Sequence, residues 1–307
     1  FLKFIDINKT FLDFITPLFV LSMALIFAHR FSAFFNSILQ LKNKAEHQQK
    51  DLTIKNKEIL ASIQYAKHLQ STILPTNKEI KVELPHSFIL FEPKDIVSGD
   101  FYWMEKRNDL IYFAAADCTG HGVPGAMVSF VCSNALTQAV IEDGETTPNK
   151  ILDRTRELVI ERFSTSETSL SDGMDISLGA YNPNTQELLW SGANNPVWLV
   201  RKGEPTIHEV KGNKQPIGSY VSTLTPFTLH KFKMDKGDRI YLFSDGYVDQ
   251  FGGPNGKKFK TNNLKEMIID IQKYPIEAQK ECLLDTFFRW QGDFEQIDDV
   301  CVFGIEF

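Results

Sequence analysis

No CxxC pair occurs anywhere in the 307 residues, and the four cysteines, Cys118, Cys132, Cys282 and Cys301, lie scattered along the chain. That absence removes a zinc knuckle and a disulfide framework and leaves free thiols in a reducing compartment. Basic charge is also in deficit: with a formal net charge of -6, no broad positive field draws in a phosphate backbone, so the chain is not a general nucleic-acid binder. The CxxxxxR pattern of a nucleophilic thiolate is missing, and so is a recognisable Ser-His-Asp arrangement. The TGHG turn lacks the Lys and Ser/Thr that would make it a P-loop. No internal repeat is present. At 43% hydrophobic and 23% charged, the composition is that of a chain with a buried core and little room for extensive disorder.

There is no initiator Met, which predicts that the chain is a fragment of a longer membrane protein carrying a sensor ahead of residue 1. Phe11 to Phe31 is nearly free of charge and apolar on all faces, close to the lower limit for crossing a bilayer. We read it as a transmembrane helix; a buried core helix is the competing reading. The apolar stretch is too long for a cleaved signal peptide. Arg30, Lys42 and Lys44 follow it, while Lys3 and Lys9 in front are partly offset by Asp6 and Asp13. The imbalance places the C-terminal bulk in the cytoplasm and the chain in the inner (cytoplasmic) membrane.

Gly and Pro are absent from Ala33 to Leu74, and this charged stretch reads as helix. Ile38, Ala45, Leu52, Ile59, Ala66 and Ile73 recur every seventh position, the spacing of a helical seam. The second seam keeps Leu41 and Leu69 but is broken by Gln48, Lys55 and Ser62. One reading is a parallel homodimeric signalling helix of marginal stability; the other is an amphipathic helix lying on its own domain. The sequence thus divides into a membrane segment (1–31), a linker helix (32–75) and a globular domain (80–307).

In the globular part, β-branched and aromatic runs predict strands at Ser87 to Phe91, Leu110 to Ala116, Asp175 to Tyr181, Glu187 to Ser191, Val197 to Arg201, Arg239 to Phe243 and Val300 to Phe307. Helices are predicted at Pro124 to Ile141, Pro148 to Phe163 with Thr147 as cap, Asn263 to Gln272 and Ile276 to Trp290. Strands in runs with paired helices between them fit an α+β sandwich better than a doubly wound sheet.

Four aspartates stand where these strands meet turns: Asp100 in SGDFYW, Asp117 in FAAADCTGHG, Asp245 in YLFSDGYVDQ and Asp298 in QIDDVCVFGIEF. Taken alone, an Asp-Gly after a strand is a turn signal. Repetition behind core-quality strands points instead to an oxygen-ligand site for a hard divalent cation. The adjacent Asp298 and Asp299 repel unless something neutralises one of them.

The segments Ser98–Trp103 (SGDFYW), Ala116–Ser129 (ADCTGHGVPGAMVS), Ser191–Val200 (SGANNPVWLV), Lys214–Gly218 (KQPIG), Phe243–Gln250 (FSDGYVDQ) and Asp298–Ile305 (DDVCVFGI) occur in the order found in a known family. The chain from about Ile80 to Phe307 resembles the metal-dependent PPM, or type 2C, protein Ser/Thr phosphatases, in the bacterial branch named for stage II sporulation protein E. The resemblance implies an α-β-β-α sandwich, two central antiparallel sheets flanked by helices, preceded here by a long helix. It implies two Mg2+ or Mn2+ ions, with Asp117 bridging them, Asp245 and Asp298 completing one, and Asp100 with the Cys118 backbone carbonyl serving the other. A water activated between the ions would attack phosphorus. The implied substrate is a phosphoserine or phosphothreonine on a regulatory protein, such as an anti-sigma-factor antagonist.

Some positions depart from the family. Gly99 precedes Asp100 where the eukaryotic type has an acid, a gap shared with the sporulation branch, and no N-terminal Arg grips the phosphate. Trp103 stands where an acid is common, and Asn194 replaces a frequent His. Secondary candidates are His121, to protonate the departing oxygen or to support the turn with Gly120, and Asp249 and Asp299, as weak ion ligands or as solvated and capping carboxylates. Trp190 and Trp198 are expected in the core. The rival functions are a catalytically inactive phosphoprotein-binding module and, further off, a small-molecule phosphatase.

Overall fold

The computed structural model describes residues 2–164, 172–219 and 224–307, with side chains from residue 11 onward; the flanking Lys3, Asp6 and Lys9 side chains lie outside the described residues. Two compact units emerge, Phe1–Ser62 and Ile63–Phe307. Residues 2–62 of the first are helical throughout and belong to α1 (Leu2–Ile73). The stretch of this helix from Phe11 is long and apolar enough to cross a membrane. Ile38, Leu52 and Ile59 of the heptad stripe are exposed.

In the second unit the last turns of α1 bury one face: Gln70 is buried, and Ile63, Ala66 and Ile73 are half-buried. Gln70 pairs with a peptide as a strand would. Its Oε1 accepts from Ser98 N at 3.0 Å, and its Nε2 donates to Ser98 O at 2.6 Å and to Ser129 Oγ at 3.2 Å. Gln70→Ala would strand two buried backbone groups, so a loss of about 2–4 kcal/mol is expected. Thermal melts of the variant check it.

After α2 (Asn77–Glu83), opened by a reciprocal Thr76–Glu79 capping box, come β1 (Ser87–Glu92), β2 (Phe101–Arg107), β3 (Leu110–Cys118), α3 (Gly122–Thr137) with a π turn at Gln138–Glu142, and α4 (Pro148–Phe163). Then follow β4 (Gly173–Asn182), β5 (Glu187–Ala193), β6 (Val197–Val200), β7 (His208–Val210), β8 (Ile217–Gly218), β9 (His230–Lys233) and β10 (Arg239–Phe243). The chain closes with α5 (Gly246–Asp249), β11 (Phe251–Gly252), β12 (Lys257–Lys258), α6 (Thr261–Asp270), α7 (Ile276–Gln291) and β13 (Val300–Glu306).

One sheet runs β1-β13-β10-β6-β7, and a second runs β2-β3-β4-β5-β9 with β8 beside β4. All the named strand pairs are antiparallel. The alternation of side chains along each strand explains the layers. In β3, Ile111, Phe113 and Ala115 face β13 and β10 between the sheets, while Tyr112, Ala114 and Ala116 face α3 and α4. In β10, Ile240 and Leu242 turn inward, and Tyr241 and Phe243 meet α6 and α7. Strands covered on both faces need apolar residues at every position, which is why these segments read as continuous runs. The architecture is the expected α-β-β-α sandwich. Trp190 and Trp198 are fully buried, and the four cysteines are free.

Two local expectations differ. Thr147 precedes α4 but makes no side-chain cap; Pro148 itself lacks an N–H, so the helix start needs less capping. The helix expected over Pro124–Ile141 begins at Gly122 and ends in the π turn.

Candidate active site

Four segments deliver carboxylates to one end of the sandwich. β3 carries Asp117 as its penultimate residue, opposite Asp175 of β4. β10 ends two residues before Asp245, Asp298 and Asp299 precede β13, and Asp100 precedes β2. A cleft of about 280 Å3 opens there, lined by Asp117, Thr119, Gly120, His121, Asp175 and Asp298 among others.

The electrostatics are those of acids crowded without cations. Asp100 is buried, its Oδ2 has no hydrogen-bond partner, and burial, then Asp117, Asp299 and Asp298, push its carboxyl well up against a hydrogen bond to Ser244. Burial foremost, with Asp245, Asp298 and Asp175, pushes Asp117 up to about 8. Asp245 is raised by burial, then by Asp249 and Asp298, and shares a hydrogen bond with Asp117. Two carboxyl groups in such contact share a proton when no cation is present.

These groups fit a hard divalent cation: the donors are all oxygen, and one buried carboxylate oxygen is left without a partner. Among the described residues, no three acids, imidazoles or thiols already converge on one point as a finished ligand cage.

The loop after β3 is held by close backbone approach. A Cβ on Gly99 would lie 2.2 Å from Gly120 O and 3.3 Å from Cys118 O, and one on Gly125 would lie 2.2 Å from Gly120 O. The Cys118 carbonyl thus lies beside the residue that precedes Asp100. The same clash explains why Gly99 stands where an acid is found elsewhere: a side chain here would displace the Gly120 peptide. Gly120 itself turns at φ 84°. Gly99→Ala is expected to cost about 1–3 kcal/mol by overpacking and about a hundredfold in kcat by moving the loop; melts and steady-state kinetics check both.

The secondary candidates separate. Asp299 spends both oxygens on backbone, accepting from Lys94 N and Gly99 N at 2.7 Å each, so it ties residues 94–99 to the site. Asp249 pairs with Lys258 at 2.8 Å. His121 sits on the cleft wall, with Nδ1 at 2.8 Å from Asp95 Oδ2 and Nε2 at 3.1 Å from Lys94 Nζ. Because an ammonium only donates, Nε2 accepts and Nδ1–H donates. The sequence reading missed Asp175 as a cleft residue. Burial raises its carboxyl, and Asn194 Nδ2 donates to it at 2.8 Å. Its place as the first acid of an apolar strand after a glycine was the available signal.

Residues 107–307 match the family described as Stage II sporulation protein E (SpoIIE). The phosphoserine phosphatase RsbU of Bacillus subtilis (strain 168) is 25% identical over 247 residues, 79% of this chain and 69% of that protein. The SiaA-PP2C domain of Pseudomonas aeruginosa matches with a TM-score of 0.75 at 30% identity, over 82% of this chain and 98% of that one. The PP2C phosphatase domain, with a fragment of the regulatory domain, of SpoIIE from Bacillus subtilis matches at a TM-score of 0.59 and 17% identity, over 72% of this chain and 62% of that one, and speaks to the fold alone. The fold and these relatives define a phosphoprotein phosphatase of the Ser/Thr PPM type, a hydrolase of phosphoric monoesters from a metal-dependent class. The chain belongs to the stage II sporulation protein E family.

Proposed function

We propose that this chain is the cytoplasmic output of a membrane signalling protein and removes phosphate from phosphoserine or phosphothreonine on a regulatory protein. The observation that carries the site assignment is Asp100, a buried carboxyl with an unpartnered oxygen among Asp117, Asp298 and Asp299. Asp117 would bridge two Mg2+ or Mn2+ ions, with Asp245 and Asp298 on one, and Asp100 and the Cys118 carbonyl on the other. When bound, such ions supply an activated water and offset charge on the phosphoryl oxygens. Asp299 fixes the loop that carries Gly99 and Asp100. Asp95 orients His121, whose Nε2 holds Lys94, and the Lys94 ammonium is the donor at the cleft wall available to a departing serine oxygen.

A phosphoserine peptide incubated with Mn2+ tests this reading, against Asp245→Asn and against nucleotide substrates. Turnover of the peptide alone, lost in the variant, is the expected result. Absence of turnover with every divalent metal would favour a binding module, and equal turnover of nucleotides a small-molecule phosphatase.

The relative named as a phosphoserine phosphatase supports a regulatory phosphoprotein of the anti-sigma-factor antagonist kind as substrate. The apolar stretch from Phe11 supports anchoring in the membrane, and exposed Leu52 and Ile59 support homodimeric pairing of the linker. Leu52→Glu with Ile59→Glu is expected to abolish dimerisation, read by sedimentation, and to change activity; an unchanged dimer and unchanged rate would refute the pairing.

A further inference from the structure

A second concave surface lies at the opposite end of β10. This cleft of about 480 Å3 is walled by the turn after β6, the turn before β10 and the end of α6. Five cations line it, Arg201, Lys202, Lys236, Arg239 and Lys273, against the two acids Glu204 and Glu306. Internal pairing consumes both arginines and Glu306, and leaves Glu204 as the one acid of the cleft whose partner is an imidazole. Arg239 is bound to Glu306 at 2.7 Å and to the carbonyl and side chain of Gln272; Arg201 is bound to buried Asp238; Glu204 faces His208 at 2.9 Å. Among the described residues, Lys202, Lys236 and Lys273 are left with no carboxylate partner, although Lys273 lies 5.3 Å from the Tyr274 ring.

The backbone brings two of these lysines to the same rim. Each of the two turns contains a Lys-Gly pair whose glycine has positive φ, Gly203 at 79° and Gly237 at 94°. The Lys202 stem crosses Gly237 so closely that a Cβ there would lie 2.7 Å from Lys202 Cδ. Three unneutralised ammonium groups around one cavity repel each other, in a chain whose net charge is -6. An anion seated among them removes that repulsion and gains charge-assisted hydrogen bonds. Val200, Pro205 and Ile269 add an apolar wall, and Gln272 adds an amide, the mix of surfaces that small-molecule sites use.

We propose that this cleft binds a small-molecule anion bearing phosphoryl groups. It is separate from the acid cluster: Arg239 opens β10 and Asp245 lies six residues on, roughly 20 Å away by the rise of a strand. The inference therefore stands independently of the catalytic assignment.

Calorimetric titration of the full chain in detergent micelles, with EDTA present so that no metal-held anion contributes, is the test. The probes are inorganic phosphate, pyrophosphate and ADP, with sulfate as control. Binding of pyrophosphate or ADP is expected, weakened about tenfold by Lys236→Gln or by Lys273→Gln, the scale of one lost charge-assisted contact. Peptide turnover in both variants should equal that of the wild type. ADP bound more tightly than pyrophosphate would assign the ligand to nucleotides and the apolar wall; equal affinities would assign it to free polyphosphate. Failure of all three probes to bind, affinities matching that of sulfate, or affinity unchanged in the double variant would overturn the proposal.

Discussion

Asp117→Asn is expected to lower kcat/KM for a phosphoserine peptide by at least about a hundredfold to a thousandfold and, in the absence of metal, to raise the melting temperature. The two effects share one cause. Asp117 faces Asp175 across the strand pair and shares a hydrogen bond with Asp245, with Asp298 also acting on it. Asparagine keeps the shape and can still hydrogen-bond Asp245, so β3 and its loop should hold. What disappears is a carboxyl that burial and its acidic neighbours force to keep its proton in the metal-free fold, so the variant is spared that cost of folding at neutral pH, and the ligand that would hold two ions is lost. A relief of about 1–2 kcal/mol raises the melting temperature by a few degrees in a unit of this size. Loss of activity together with loss of stability would mean a folding defect instead, and wild-type turnover in the variant would remove Asp117 from the centre of the site.

The strands that carry the site were legible because burial on both faces leaves a signal that no surface element imitates. LIYFAAA, RIYLF and VCVFGIEF read as strands from composition alone and lie in β3, β10 and β13, and their ends locate Asp117, Asp245 and Asp298. β2 was harder. In FYWMEKR only Phe101 and Trp103 are buried, and the alternation fades into charge, so the Asp100 segment was recognised by its motif and not as a strand. Asp175 was hidden because it opens a strand already explained by its apolar residues. The role of Asp299 was invisible for another reason: its partners, Lys94 and Gly99, are about two hundred positions away in sequence, and a local pattern carries no such contact. Gly99 shows the same limit. Its neighbour suggested a missing ligand, whereas the close Gly120 carbonyl gives a steric reason for the glycine.

Removing divalent metal is expected to destabilise the protein more at higher pH. Asp117 holds its proton to about 8 in the metal-free fold, and burial raises Asp100, Asp245, Asp175 and Asp299 as well. Between the ordinary carboxylate range near 4 and about 8, the folded chain therefore binds more protons than the unfolded chain. The sign follows directly: stability falls with rising pH wherever the unfolded state binds fewer protons, and it levels off once the folded groups have also ionised. For Asp117 the accumulated loss is on the order of a few kcal/mol. Cations that compete with these protons bind better as pH rises, because their ligands must be deprotonated. The gap in melting temperature between Mn2+ and EDTA samples should consequently be small near about pH 5 and wide near about pH 8. In Asp117→Asn the metal-free decline with pH should flatten, since the proton that Asp117 takes up on folding no longer contributes. A gap independent of pH, or one that narrows as pH rises, would mean that the acid cluster is not where the metal acts.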